Sequence, residues 1–156
     1  MSDFRSDPEG LSLVETLELS DDRTEVSLEK VRTRNGERLA ITDEASGRSI
    51  RLDAIELESL SWQRDLFFQE LLGVSGRDVS DAADIDLGDR GIFVANEYAQ
   101  VLVQPVRSRS DEVGVTALKL EYFAVVRAAE LAALVTKDTA FFSDLLHTPL
   151  GPRHSH

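Results

Sequence analysis

The sequence predicts an α+β protein built from two tandem ββββα(α) repeats with antiparallel sheets, packed as an internal pseudo-dimer. Three observations predict it. Residues 26–37 match residues 101–112 at an offset of 75 with five identities: Val26/Val101, Val31/Val106, Arg32/Arg107, Arg34/Arg109 and Glu37/Glu112. Residues 52–72 match at an offset of 74 with eight: Ala54/Ala128, Glu56/Glu130, Leu57/Leu131, Leu60/Leu134, Phe67/Phe141, Phe68/Phe142, Leu71/Leu145 and Leu72/Leu146. Within each copy, apolar residues at period two precede apolar residues at helical spacing. The offset changes by one between the blocks, where a hairpin turn is expected. A repeat of about 60 residues that covers strands and helices alike marks a duplicated small domain, not a solenoid.

The expected organisation is a mobile tail over 1–14, repeat 1 over 15–76, an acidic linker over 77–90, repeat 2 over 91–151 and a tail over 152–156. The first strands carry Val26 and Leu28 on one face, whereas Val31 and Thr33 have the opposite parity. In copy 2, Val101 and Val103 share a face and Val106 does not. The phase slips at the same place in both copies, and Pro105 sits in the slip. A β-bulge or strand break is expected near Glu29–Lys30 and Gln104–Pro105. Asn35-Gly36 then signals a hairpin, because both residues tolerate positive φ. A two-residue loop there faces Val31 with Ala40, and facing it with Ile41 needs an odd loop. Leu39 and Ile41 belong to the third strand, Ile50 and Leu52 to the fourth.

A helix follows at once. Asp53 caps it and Glu56 stands three residues later, the capping-box spacing. Leu57 and Leu60 supply its apolar stripe. A second helix starts at Asp65, with Phe67/Leu71 and Phe68/Leu72 at i,i+4. Its counterpart in copy 2 starts at Thr139, another cap former. The paired phenylalanines and leucines read as core or interface packing, and so does Trp62, whose place in copy 2 is held by Thr136. His147, in the last turn of the final helix, suits the helix dipole.

Composition bounds the function. The 156 residues include 17 basic and 29 acidic side chains, for a net charge of −12. This disfavours nonspecific binding to nucleic acid or anionic membranes, which depends on positive potential. There is no cysteine, hence no disulfide framework, thiol nucleophile or zinc-thiolate site. The start has no signal-peptide pattern and no apolar run reaches about 18 residues. A cytoplasmic, soluble protein with no membrane partner is expected. Asp81, Asp84, Asp86 and Asp89 miss the EF-hand spacing, since Gly88 follows Leu87, and read as a solvated linker. No cofactor and no metal site are expected.

Four strands in a meander followed by a helix resemble the unit of the PC4-like and Whirly-like single-stranded DNA-binding regulators. The resemblance rests on element order, with Arg32 to Leu39 and then a strand ending Ile50-Arg51-Leu52-Asp53. In that family two β4-α units pair through their helices, and a tandem copy implies the same assembly within one chain. The chain is also similar to small single-copy bacterial proteins of uncharacterised function. They share segments like Val31-Arg32-Thr33-Arg34-Asn35-Gly36-Glu37-Arg38-Leu39, Ser61-Trp62-Gln63 and Thr148-Pro149-Leu150-Gly151. Some of these carry a dihydrodiol dehydrogenase label. This sequence gives it no support, because no G-x-G-x-x-G lies between a strand and a helix.

The Arg-x-Arg pairs, Arg32/Arg34 and Arg107/Arg109, are the candidate nucleic-acid-binding residues. Period two places both guanidiniums of a pair on one strand face, where Lys30 and Arg51 join them in copy 1. Guanidinium forks match phosphate oxygens. The competing reading is a solvated face whose arginines pair with Glu25, Glu29 or Glu37, and the strands of copy 1 lack the aromatics on which bases stack. Copy 2 has Phe123 and Val125 where copy 1 has Ser49 and Arg51. Leu118 to Val126 is apolar on both faces, so the outer face of copy 2 is expected to be buried, against copy 1, a terminal segment or another chain. Phe123 and Val125 are therefore candidate interface residues. A non-enzymatic binding protein follows, either an interaction module with a protein partner or homo-oligomer, or a single-stranded nucleic-acid binder. No residues show a nucleophile pattern.

Overall fold

The computed structural model describes residues 11–77 and 85–147. The elements run β1 (Ser12–Leu13), β2 (Thr16–Ser20), β3 (Glu25–Thr33), β4 (Gly36–Asp43), β5 (Ser49–Asp53), α1 (Ala54–Ser61), α2 (Asp65–Leu72), β6 (Arg90–Ala95), β7 (Gln100–Pro105), β8 (Glu112–Ala117), β9 (Tyr122–Arg127), α3 (Ala128–Leu134) and α4 (Thr139–His147). The protein is α+β. One sheet has the order β2-β3-β4-β5 and is antiparallel throughout; the other has the order β1-β6-β7-β8-β9, with β1 joined in parallel to β6.

Alternation explains the first sheet. Its register lines up Leu17, Leu28, Ile41 and Ile50 across the four strands, so one face is apolar. In the second sheet Ile92, Val103, Val115 and Ala124 form the equivalent row. Both rows feed one continuous core. The helices cross between the halves. Helix α1 packs on β7, β8 and β9, whereas α3 packs on β3 and β4, and the second helices follow, α2 on α3 and α4 on α1. Leu57 and Leu60 of α1 are 1% and 0% exposed, each burial contributing about 1.5–3 kcal/mol. The α1 capping box forms as its spacing predicts: Glu56 N–H donates to Asp53 Oδ1 at 2.8 Å and Asp53 N–H to Glu56 Oε1 at 3.0 Å.

Several strand-level expectations are corrected. No bulge interrupts β3, whose pairing runs unbroken from Val26↔Asp43 to Thr33↔Gly36. The apparent slip is polar substitution on the core-facing parity. Lys30 and Arg32 continue the face of Val26 and Leu28 where the hairpin outruns the core. Strand β7 is also regular and simply ends at Pro105, a strand terminus where the missing N–H is tolerated. The β3–β4 loop is Arg34-Asn35, so Val31 faces Arg38, neither Ala40 nor Ile41. Of that turn only Gly36 takes a positive φ, 118°.

Parts expected outside the repeats belong to the fold. β1 lies within the predicted tail, with Val14 N–H donating to Gly91 C=O at 2.9 Å. In the predicted solvated linker, Arg77 is buried and Leu87 bridges to Val106. Residues 78–84, with Asp81 and Asp84, and the C-terminal 148–156 lie outside the described part. The outer face of the second sheet is buried as expected, and its cover comes from within the chain. Leu102 and Gln104 are 1% exposed and Val125 is 6% exposed, while Phe123 is half-buried. Leu87 approaches this face at Gly114, where a Cβ would stand 2.9 Å from Leu87 Cδ2. Among the described residues no helix is long and apolar enough to cross a membrane.

Candidate functional site

The five arginines and one lysine singled out by sequence do not assemble into one strip. Lys30 and Arg32 share the core-side parity of β3, but Arg34 lies in the turn. Arg51 pairs with Ala40 and so stands on the opposite face of the sheet. Arg107 and Arg109 lie beyond the end of β7, in the loop before β8. The expectation of two guanidiniums on one strand face fails in both halves for the same reason: each strand ends sooner than the motif does.

Most of these cations are already engaged. Arg32 makes a two-pronged contact with Glu15, at 2.9 and 3.0 Å. That hydrogen-bonded guanidinium holds the Glu15 carboxyl below its ordinary value. Lys30 Nζ lies 3.4 Å from Glu37, and Glu37 also accepts the N–H of Ala95 at 3.0 Å, tying the first hairpin to β6. Arg107 faces Asp86 at 3.5 Å and Arg109 faces the buried Glu112 at 3.7 Å. Arg34 and Arg51 are exposed.

A cleft lies where the first sheet meets the second half. Its volume is about 660 Å³, and it is lined by Glu18 to Ser20, Glu25, Gly88 to Arg90, and Pro105 to Ser110. Local chemistry places these walls. Ser20 N–H donates to the carbonyl of Ser110 at 3.0 Å, and Ser110 Oγ returns a bond to Ser20 C=O at 3.2 Å. Arg107 N–H donates to Asp86 C=O at 2.7 Å and Gly88 N–H to Pro105 C=O at 2.8 Å. The cleft continues through Ser20 and Ser110 into a second hollow of about 500 Å³ that holds Asp21, Asp22, Arg23, Asp111 and Arg127. Past Glu18 and Glu25 it continues into a third, lined also by Val26, Ser27 and Glu44.

No family model matches the chain, and no curated protein matches it.

The electrostatics of the groove are mixed. Arg90, Arg107 and Arg109 stand with Asp89, Glu18 and Glu25. Such a surface offers guanidinium forks to carboxylates and carboxylates to ammonium groups within one run. Among the described residues no group of three or more His, Asp or Glu is placed to hold a metal ion. Sequence reading found Arg107 and Arg109 but not their neighbours. Glu18 and Arg90 carry no motif; Glu18 meets these arginines because β2 is tied to the β7–β8 loop, and Arg90 because β6 and Gly88 run along β7.

Two further sequence readings have their answer in packing. Trp62 is 7% exposed and meets Tyr122 of β9 edge-on, ring centroids 6.0 Å apart. Val125 is covered within the chain, so it offers no open surface to another molecule.

Proposed function

We propose that the chain is a tandem duplication packed as an internal pseudo-dimer of the PC4-like and Whirly-like kind, acting as a non-enzymatic protein-interaction module. The crossed packing of α1 and α3 supports the architecture. So does a turn repeated at an offset of 75: Asp21 Oδ1 accepts from Arg23 and Thr24 N–H, and Asn96 Oδ1 from Tyr98 and Ala99 N–H.

The mixed-charge groove carries the functional reading. In a chain of net charge −12, it sets three arginines among three carboxylates. A polyanion would meet Glu18, Glu25 and Asp89 at every approach, whereas a polypeptide segment carrying both signs finds partners for each. The single-stranded nucleic-acid reading is weaker, because its proposed cations are split between faces and largely paired. The test has two arms. Fluorescence anisotropy with labelled single-stranded and duplex oligonucleotides at low salt should show no binding. Affinity capture after cross-linking should recover a protein partner with the native chain and lose it with R107E/R109E. Oligonucleotide binding that falls with salt and with R107A/R109A would overturn the reading.

A further inference from the structure

The strands that end the two sheets are β1, β2, β5 and β9. The edge of β9 is sealed. Arg77, which follows α2, reaches across and donates to the Val125 carbonyl on that edge, to the Glu130 carboxylate at 2.5 and 2.7 Å, and to Asp65 at 3.0 Å. Its guanidinium lies 4.1 Å above the Phe68 ring, and the side chains of Arg77 and Glu130 are 6% and 1% exposed.

The edge of β2 faces the groove instead. The ladder to β3 fixes which of its main-chain groups point outward. Lys30 N–H donates to Glu15 C=O at 2.8 Å, and Asp21 N–H donates to Thr24 C=O at 2.9 Å across the connecting turn. Ladder bonds alternate along an antiparallel strand, so Leu17 and Leu19 bond inward to β3, whereas Thr16, Glu18 and Ser20 turn their N–H and C=O outward. All three outward residues are exposed. Ser20 donates its outward N–H to the Ser110 carbonyl at 3.0 Å, and its own carbonyl accepts Ser110 Oγ at 3.2 Å. The β7–β8 loop thus makes the first rung of a fifth strand and then turns away. The outward groups of Glu18 and Thr16 take no described partner.

Beyond that first rung lies the cleft of about 660 Å³, with Glu18 to Ser20 on one wall and Arg90, Arg107 and Arg109 on the other. The charges of the two walls are separated. On the side of Glu18, a hollow lined also by Glu25, Ser27 and Glu44 gathers negative charge. On the far side, the side chains of Arg107 and Arg109 remain 54% and 39% exposed, and their carboxylates stand at 3.5 and 3.7 Å, beyond good hydrogen-bond length.

We propose that the groove takes its polypeptide partner as an extended strand added to β2, running from the Ser110 rung past Glu18 to Thr16. A residue opposite Glu18 shares its face, beside Glu25 and Glu44, and is basic. An acidic side chain of the same segment meets Arg90, Arg107 and Arg109. Main-chain bonds give such a complex its affinity, and the two charge clusters give it its choice of sequence. The inference rests on reading the groove as a polypeptide site.

The probe is a phage-displayed library of random peptides, panned on the full chain, with the recovered sequences then synthesised. N-methylation of the recovered peptides on alternate amides should weaken binding about tenfold in one phase and by less than about twofold in the other. With peptide at about ten times Kd, the Glu18 amide should exchange with deuterium about tenfold more slowly, whereas Leu17 and Leu19, already bonded to β3, should not change. E18P should also weaken binding about tenfold; proline there removes only an outward N–H, so the β2–β3 ladder keeps its bonds. Peptides that bind with an unchanged Glu18 amide, or that tolerate N-methylation in both phases, overturn strand addition and leave the groove a polypeptide site. If the native chain retains no peptide that R107E/R109E releases, the reading of the groove falls, and strand addition with it.

Discussion

Arg77→Met isolates the buried ion pair. Methionine keeps an unbranched chain over Phe68 but leaves Glu130, 1% exposed, without its cation, and the Val125 carbonyl without that donor. Removing one partner of a buried pair is destabilising by about 3–5 kcal/mol. Glu130 retains the Arg127 N–H at 2.8 Å, which places the expectation near the lower end, at about 3 kcal/mol. With a urea slope of about 2 kcal/mol per molar, the midpoint should fall by roughly 1.5 M. The assay is urea unfolding followed by the fluorescence of Trp62, which sits at the junction with β9. R77M/E130Q should recover more than half of the loss, because the uncompensated charge is gone and the amide oxygen can still accept the cap N–H. A fall under about 0.3 M for R77M, or a double variant as unstable as the sum of the singles, would refute the argument.

Two other outcomes follow from burial. Gly114→Ala would set a Cβ 2.6 Å from the Phe123 ring and 2.9 Å from Leu87. Overpacking of that kind is destabilising by about 1–3 kcal/mol, so calorimetry should show a lower Tm, and an unchanged Tm would mean that the cover of the second sheet yields freely. Glu58 is 8% exposed, and burial raises its carboxyl, partly countered by Lys119. The folded state therefore holds that proton more tightly than the unfolded chain does. Its contribution to stability falls as pH rises from the unfolded value through the folded one. The stability of Glu58→Gln relative to the native chain should thus rise between pH 4 and pH 7; a difference that is flat with pH contradicts the direction.

How much was legible in the sequence depended on whether a signal was local. The capping box at Asp53 and Glu56 and the starts of α2 and α4 follow from short spacings, and the structure has them. The two-sided burial of the second sheet was readable from Phe123 to Val126, which are apolar on both parities, but Leu118 to Glu121, read as part of the same strand, form the β8–β9 turn and the strand begins only at Tyr122. Register was harder. Asn35-Gly36 marked the hairpin, yet the loop fell one residue earlier, because cross-strand pairing of Leu28 with Ile41 fixes the phase and the turn adapts. Lys30 and Arg32 looked like a change of face, but they are polar residues on the same face beyond the core. Arg77 gave no signal at all. An arginine at the head of an acidic segment reads as solvated, and only the meeting of α2, α3 and β9 makes it buried.

The crossed packing has a consequence for synthesis. Helix α1 is complete once Ser61 is joined, but part of its cover, β7 to β9, ends at Arg127. At about 5–20 residues per second, a nascent chain carries that apolar stripe uncovered for on the order of 3–13 s. β1 waits similarly, since its partner β6 begins only at Arg90. Neither half closes its own core as it emerges, so folding is held back until the last sheet exists. This topology of distant contacts favours slow folding and gives a chaperone its window on the nascent chain.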